Sequence, residues 1–230
     1  MALDISKIKQ YRLNHEQYFQ EESSKTQIYI HHTASSSNPF RCVDYWNSNK
    51  ERIATAFLIA GKPNKNDSFK DGDIVQAFAS KHWAYHLGIK QALFTAQQIP
   101  FKSLDKTSIG IEVCNWGQLS YSNGKYVTYV GTTVPESEVF VYETPYRGYK
   151  FYHKYTQEQV NSLKELLIYL CEKFNISKRY NETIWDIDRN ALRGTPGIYS
   201  HTSVRSDKND MNPQSELTLM LKTLEFPSAI

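Results

Sequence analysis

Short apolar runs recur along the chain, and most are bounded by glycine, proline, asparagine or aspartate. Runs of about four to eight apolar or β-branched residues with such boundaries are typical of buried strands. The pattern predicts strands at residues 27–30, 55–60, 73–78 and 108–113. Residues 40–52 lie between the first two strands and are predicted to form a helix.

Two later segments place apolar side chains three and four residues apart, which is the spacing of a helix that buries one face. The first spans residues 156–174, where Thr156 and Gln159 have the types and spacing of a capping box. The second is predicted to begin with Asn212 as the N-cap and Pro213 as its first residue. The buried stripes comprise Val160, Leu163, Leu167, Leu170 and Phe174 in the first helix, and Leu217, Met220, Leu221 and Leu224 in the second.

Residues 117–155 differ from this alternation of strands and helices. Residues 121–127 are predicted to form a hairpin, because the Asn-Gly pair at residues 123–124 suits a tight two-residue turn. The stretch that follows, residues 140–155, is rich in tyrosine and phenylalanine. We expect this insertion to lie beside the core sheet and to form one wall of a groove, with most of its aromatic rings used in packing.

Strands mixed with helices in this order predict an α/β fold in a single domain, with a central mixed β-sheet flanked by helices on both faces. A length of 230 residues suits one domain, and no internal repeat or linker divides the chain. We expect an N-terminal arm at residues 1–26 and a catalytic domain at residues 27–230 that contains the 117–155 insertion.

The bulk composition is that of an ordinary globular protein, with 40% hydrophobic and 22% charged residues. The net charge of +3 would favour approach to an anionic polymer but is too weak to indicate nucleic-acid binding. No apolar stretch is long enough to insert into a membrane. The first residues contain no apolar core of signal-peptide length, so we expect a cytoplasmic protein, and we expect it to be a monomer.

The cysteines exclude one kind of metal site. Cys42, Cys114 and Cys171 are odd in number and far apart, and no Cys-x-x-Cys pair occurs. A cysteine-based zinc cluster is therefore excluded. The pattern favours free thiols in a chain that folds in a reducing compartment.

Candidate chemical groups lie at the ends of predicted strands. His31 follows the first strand, Glu112 lies near the end of the 108–113 strand, and residues 201–210 form a polar loop with further candidates. Active sites of open α/β sheets collect outside the strand ends. We therefore expect these three segments to meet in one site.

The residue types in these segments suit a zinc hydrolase. A catalytic zinc site typically has three protein ligands and one open position for water, and His31, His201 and Asp210 would supply the ligands. The metal would lower the pKa of its water to about 7 and polarise a scissile carbonyl. Glu112 would take the proton of the water and pass it to the leaving amine. Lys208 would stabilise the developing oxyanion.

Each of these residues also has an ordinary structural explanation when it is taken alone. A histidine at a strand end is usually a polar side chain with its hydrogen bonds satisfied. Asp210 could simply precede a helix cap, and Lys208 could be a surface lysine. Glu112 is the hardest to explain structurally, because a buried unpaired carboxylate is costly. The spacing of these residues does not identify a substrate.

Three blocks of the sequence resemble the signature blocks of the type 2 N-acetylmuramoyl-L-alanine amidases, the relatives of phage T7 lysozyme and of peptidoglycan recognition proteins. They are Ile-Tyr-Ile-His-His-Thr-Ala-Ser at residues 28–35, Thr-Ser-Ile-Gly-Ile-Glu at residues 107–112, and the segment from Ser-His-Thr-Ser-Val to Lys-Asn-Asp at residues 200–210. The blocks occur in the family's order, and the resemblance covers roughly residues 25–225.

The resemblance implies a zinc ion and the roles of the residues around it. It assigns the first ligand to His31 rather than His32, the second to His201 and the third to Asp210, which places the chain in the branch with an aspartate ligand. In that branch the glutamate of the Ile-Gly-Ile-Glu block, here Glu112, is the base. The lysine of the last block, Lys208, stabilises the oxyanion.

A fourth segment has a weaker resemblance. Trp-Ala-Tyr-His-Leu-Gly-Ile at residues 83–89 is similar to the family's Trp-His-Ala-Gly segment, whose histidine lies beside the substrate. This implies substrate-binding roles for His86 and Trp83, against the alternative that His86 is an ordinary polar loop residue. The chain departs from the pattern at Asp105, where many members have asparagine, and at Ser200, where glycine is usual.

The resemblance implies a zinc-dependent amidase that hydrolyses the bond between the lactyl group and L-alanine in bacterial peptidoglycan or its muropeptides. A phage or prophage endolysin, acting on the cell wall after release, is the favoured setting. A cytosolic recycling enzyme and an interbacterial toxin remain open. The alternative from another class is a non-catalytic peptidoglycan-binding module, but such modules lose a metal ligand, whereas this chain keeps all three candidates.

Overall fold

The computed structural model describes residues 3–225 and contains two β-sheets. Six strands form the central sheet, in the order β1-β4-β3-β5-β2-β11. Their bounds are β1 Lys9–Gln10, β2 Gln27–His32, β3 Phe57–Ile59, β4 Ile74–Gln76, β5 Ser108–Val113 and β11 Gly197–Ser200. Strand β2 lies between β5 and β11 and is parallel to both, whereas β3 and β4 are antiparallel, so the sheet is mixed.

All six residues of β2 are buried. This agrees with its near-continuous apolar character, which is typical of a strand covered on both faces. The same strand ends in His31 and His32, so two imidazoles lie at the edge of the buried core.

The α-helices surround this sheet. Their bounds are α1 Pro39–Ser48, α2 Gln91–Ala96, α3 Leu104–Thr107, α4 Gln157–Phe174, α5 Arg189–Arg193 and α6 Ser215–Lys222. Helix α4 begins with the predicted capping box, in which the Thr156 hydroxyl accepts from the Gln159 backbone and the Gln159 side chain accepts from the Thr156 backbone.

The predicted start of α6 is wrong. The helix begins at Ser215 with Gln214 at the N-cap position, not with Asn212 and Pro213. The reason is that the Asn212 side chain is fully occupied elsewhere, because it donates to the Tyr155 hydroxyl at 2.9 Å and accepts from the Tyr142 hydroxyl at 2.9 Å. A side chain held in that network cannot turn back to cap a helix.

The 117–155 insertion builds the second sheet. Its strand order is β8-β7-β6-β10-β9, with bounds β6 Gln118–Ser122, β7 Lys125–Val127, β8 Thr133–Val134, β9 Val139–Tyr146 and β10 Tyr149–His153. The hairpin of β6 and β7 has Asn123 and Gly124 at φ 51° and 74°, the positive values that its two-residue turn requires. Tyr142, Tyr146 and Tyr152 pack on one another with ring centroids 5.5–6.1 Å apart.

Helices cover both faces of the central sheet. On one face, Gln27 Nε2 donates to the Ala191 carbonyl of α5 at 3.0 Å. On the other, His32 Nδ1 lies 3.0 Å from the hydroxyl of Tyr155, which immediately precedes the N-cap of α4. The predicted fold class is therefore confirmed. Part of the predicted N-terminal arm is the edge strand β1, and both outer boundaries, residues 1 and 230, lie outside the described residues.

Cys42, Cys114 and Cys171 are free thiols. Within residues 3–225, none of the helices combines the length and the apolar character needed to cross a lipid bilayer.

One buried charge gives a stability prediction. Lys25, just before β2, is 3% exposed, and its ammonium donates to the Lys106 carbonyl at 2.8 Å. Burial, together with the charge of Lys106, lowers its pKa to about 7. Between about pH 7 and 10 the unfolded chain therefore binds more protons than the folded chain, so the free energy of unfolding rises with pH across that window.

Replacing Lys25 with Met should therefore stabilise the protein most at pH 7. The upper limit of this gain is about 4–5 kcal/mol, and the gain should shrink as the pH approaches the ordinary lysine pKa. Urea unfolding of both proteins at about pH 7 and 9.5 measures the difference, with the exposed Lys125→Met as control. A gain of equal size at both pH values would contradict the assignment to a buried ammonium.

Candidate metal centre

Three potential ligand atoms converge on one point at the end of the central sheet. Strand β11 runs parallel to β2 with Ser200 opposite Ile30, so His201 emerges beside His31. His31 Nδ1 lies 3.1 Å from His201 Nδ1, and Asp210 Oδ2 lies 3.2 Å and 2.9 Å from these two nitrogens. Residues that are 170 and 179 positions from His31 along the chain therefore meet at a single centre.

The donor set fits a zinc ion. Atoms bound to one tetrahedral zinc at about 2.0–2.1 Å lie roughly 3.3 Å apart, close to the three separations found here. Two imidazole nitrogens and a carboxylate oxygen are also a common zinc ligand set. Lone pairs that face one another at this distance repel, so a cation between them would stabilise the arrangement.

The loop that carries Asp210 is braced at several points. It begins with the 3₁₀ turn His201–Ser203, and the Thr202 backbone N–H donates to the Asp210 carbonyl at 3.2 Å. Arg205 binds Asp207 through two nitrogens and donates from Nη1 to the Gly88 carbonyl at 2.6 Å. These contacts hold the Asp210 carboxylate near His31 and His201, although Asp210 lies in neither a helix nor a strand.

The protonation states also suit a metal site. Burial, reinforced by the neighbouring His201, lowers the pKa of His31 to about 4, so its imidazole is neutral at physiological pH. Burial alone would raise the pKa of Asp210, but His201 and His31 beside it hold that pKa well below its usual range. Neutral imidazoles and an ionised carboxylate are the forms that ligate metals.

Glu112 lies directly beside this centre. It is the register partner of His31 across β2 and β5, so both side chains point to the same face of the sheet. Within the described residues 3–225, its Oε2 atom is buried without a hydrogen-bond partner. Burial, with the charge of Asp210 nearby, raises the pKa of Glu112 well above its ordinary value. An unpaired buried carboxylate next to a second carboxylate is costly unless a cation lies nearby.

Lys208 supplies positive charge to the same region. It is half-buried, and its charge lowers the pKa of both Glu112 and His31. The structure thus brings His31, His201 and Asp210 together, with Glu112 in register beside His31 and the charge of Lys208 acting on the same groups.

His32 takes no part in the cluster. Its side chain lies on the opposite face of β2, where Nδ1 meets the Tyr155 hydroxyl at 3.0 Å. This geometry agrees with the assignment of the first ligand to His31.

His86 and Trp83 lie in different surroundings. His86 Nδ1 lies 3.0 Å from His31 Nε2, so its ring stands behind a candidate ligand. Trp83 stacks on Phe19 with ring centroids 3.9 Å apart, and its indole N–H donates to Glu21 at 3.4 Å. Their substrate-binding roles stay predictions.

Two contacts to the centre carry no clear signal in the sequence. The Leu87 carbonyl lies 2.9 Å from His201 Nε2, and a backbone group is invisible to reasoning from side-chain types. Asp105 Oδ1 accepts from the backbone N–H groups of His86 and Leu87 at 2.8 Å and 2.9 Å. The one sequence feature that points to this contact is the aspartate itself, because many members of the family have asparagine at position 105.

A groove of about 920 Å³ lies beyond the end of β5, between the insertion and the loops of the central sheet. Residues 132–135, 137–138 and 153–155 of the insertion line one side of it. Trp116 and the ion pair of Lys62 with Glu138, 2.7 Å apart, also belong to its lining. Among the described residues, its lining includes Cys114 but none of the five candidate site residues.

The family model described as N-acetylmuramoyl-L-alanine amidase matches residues 22–213. No curated protein matches the sequence. Among solved structures, PlyL is 12% identical with a TM-score of 0.52, over 94% of this chain and 96% of that one. A mutant endolysin from Bacillus subtilis is 14% identical with a TM-score of 0.51, over 97% and 98%. AmiD from E. coli, in complex with the substrate anhydro-N-acetylmuramic acid-L-Ala-D-gamma-Glu-L-Lys, is 17% identical with a TM-score of 0.50, over 87% and 59%.

Proposed function

The chain belongs to the N-acetylmuramoyl-L-alanine amidase family, and on that premise we propose that it is a zinc-dependent hydrolase of the lactyl–L-alanine amide of peptidoglycan. The observation that supports zinc dependence is the convergence of His31 Nδ1, His201 Nδ1 and Asp210 Oδ2 within 3.2 Å of one another. The Glu112 Oε2 atom, buried in register with His31 and without a partner among residues 3–225, supports catalysis rather than binding alone.

His31, His201 and Asp210 would hold the metal. Zinc bound there supplies Lewis-acid polarisation of the scissile carbonyl and lowers the pKa of water to about 7. Glu112 accepts a proton from the attacking water and returns it to the alanine nitrogen as the carbon–nitrogen bond breaks. Lys208 stabilises the negative charge that develops on the carbonyl oxygen. The products are a lactyl carboxylate and a stem peptide with a free L-alanine amine.

The structural likeness to an endolysin supports a role in wall degradation by a phage or prophage. The muropeptide complex of AmiD supports the proposed substrate class. We further expect a cytoplasmic monomer that acts on the wall after release.

Digestion of isolated sacculi and of purified muropeptides tests the bond. We expect mass spectrometry to find intact stem peptides with a free L-alanine amine, and a chelator to abolish their release because the reaction needs the metal. Cleavage between sugars, or within the stem peptide, would refute the assignment. Release from muropeptides alone would favour the recycling role over the endolysin.

A non-catalytic peptidoglycan-binding module is the alternative. It would bind sacculi without releasing stem peptides, whether or not zinc is added. The complete set of three candidate donor atoms argues against it, because such modules lack one of the metal ligands.

A further inference from the structure

A chain of hydrogen bonds behind the candidate ligand His31 fixes where its protons lie. The Ser108 hydroxyl donates its one proton to the Leu104 carbonyl at 2.7 Å. Ser108 Oγ can therefore only accept from His86 Nε2, which lies 2.9 Å away. His86 Nδ1 is then an acceptor, and the partner 3.0 Å from it, His31 Nε2, must be the donor. His31 Nδ1 is left as a lone pair that faces the centre.

The second candidate ligand is fixed in the same way by the next residue of the chain. His201 Nε2 lies 2.9 Å from the Leu87 carbonyl, which can only accept. The proton of His201 therefore lies on Nε2, and its Nδ1 also faces the centre as a lone pair. Two consecutive residues, His86 and Leu87, thus set both imidazoles in the form that binds a metal.

Residues 86–88 are themselves held in place. Asp105 accepts the backbone N–H groups of both His86 and Leu87 at a single oxygen. Arg205 donates to the Gly88 carbonyl at 2.6 Å. On the sheet side, a Cβ at Gly110 would lie 3.0 Å from His86 Nδ1, so glycine leaves the room that the imidazole occupies.

We propose that His86 and Asp105 are positioning residues that preorganise the metal centre, with His86 orienting His31 and Asp105 anchoring the His86–Leu87 segment against both ligands. This rests on the proposed function only in requiring that the centre bind zinc. In this proposal His86 contacts the ligand His31 on the side away from the metal. Asp105 acts through an accepting oxygen rather than through its negative charge.

Zinc affinity, measured by competition with a chromogenic chelator, tests the proposal directly. Loss of an outer contact of this kind weakens metal binding about 10–100-fold, which is the effect expected for His86→Ala and for Asp105→Ala. Asp105→Asn keeps the accepting oxygen, and His86→Asn places an oxygen near the former Nδ1, so both should bind zinc within about threefold of the wild type. His82→Ala is the matched control, because that imidazole lies just before the segment at residues 83–89 and stacks on Tyr18 instead.

Two further measurements separate positioning from folding. The urea midpoint of each metal-free variant shows whether the fold persists, and nitrogen-15 chemical shifts of the metal-free wild type report the tautomers. We expect His31 and His201 both to carry their proton on Nε2. Wild-type zinc affinity in a folded His86→Ala, or no rescue by His86→Asn, would overturn the role of His86. If Asp105→Ala does not fold, the tautomers of the wild type and the zinc affinity of His86→Ala still test the positioning proposal. A wild type that binds no zinc would instead overturn the proposed function.

Discussion

Replacing Glu112 with Gln should lower the rate of amide hydrolysis by at least about 10²–10⁴-fold, the range that a general base contributes, while the protein still binds one zinc ion. Glu112 lies in register with His31 but is not one of the three converging donors. The change keeps the shape of the side chain and removes only its ability to take a proton. Stem-peptide release, followed by mass spectrometry, measures the rate, and metal analysis measures the bound zinc.

Glu51→Gln is the control for this experiment, because it makes the same chemical change on an exposed residue. Glu112→Ala should be equally inactive and equally loaded with zinc. Activity within tenfold of the wild type in either Glu112 variant would exclude the residue as the base. Loss of zinc in Glu112→Gln would instead make Glu112 a fourth ligand.

The buried state of Glu112 gives a second readout that does not depend on activity. Because its pKa is raised in the folded protein, the carboxyl contributes stability below its unfolded pKa and loses that contribution as the pH rises. In metal-free protein at neutral to alkaline pH, Glu112→Gln should therefore unfold at a higher temperature than the wild type. Calorimetry of both proteins with a chelator present measures this difference.

The local elements could be predicted because their signals are local. The capping box of α4 depends on two residues three positions apart, and the hairpin turn depends on two adjacent residues with positive φ. The cap of α6 could not be predicted, because Asn212 bonds to Tyr142 and Tyr155, far away in the sequence. A tertiary network overrode a local preference there.

The candidate site shows the same difference between local signals, which could be predicted, and tertiary contacts, which could not. The chemical types of His31, Glu112 and the 200–210 segment, together with the family pattern, were enough to propose one site. Their distances depend on β2 lying between β5 and β11, and no residue pattern encodes that order. The contacts behind the ligands were missed, because the Leu87 contact is a backbone carbonyl and His86 resembles a substrate-side residue.

Asp210→Ala should remove stoichiometric zinc and, with it, hydrolysis. The change deletes one of three donors and leaves His31 and His201 without the carboxylate that would balance the charge of the metal. Removing a ligand should weaken binding by more than the roughly 100-fold limit of changes behind the ligands. Asp210→Cys should restore binding, because a thiolate is a zinc ligand at about 2.3 Å.

The same variants predict a thermal effect. Zinc at about 1,000 times its dissociation constant stabilises a folded protein by about 4 kcal/mol, which for a chain of this size raises the unfolding temperature by roughly 8–16 °C. We expect that increase for the wild type and for the control Asp44→Ala, whose exposed carboxylate lies on α1 and accepts from the Tyr11 hydroxyl. Asp210→Ala should show almost none. If zinc raised the unfolding temperature of Asp210→Ala as much as that of the wild type, the zinc would bind elsewhere. Glu112 would then not act beside a metal held by His31, His201 and Asp210.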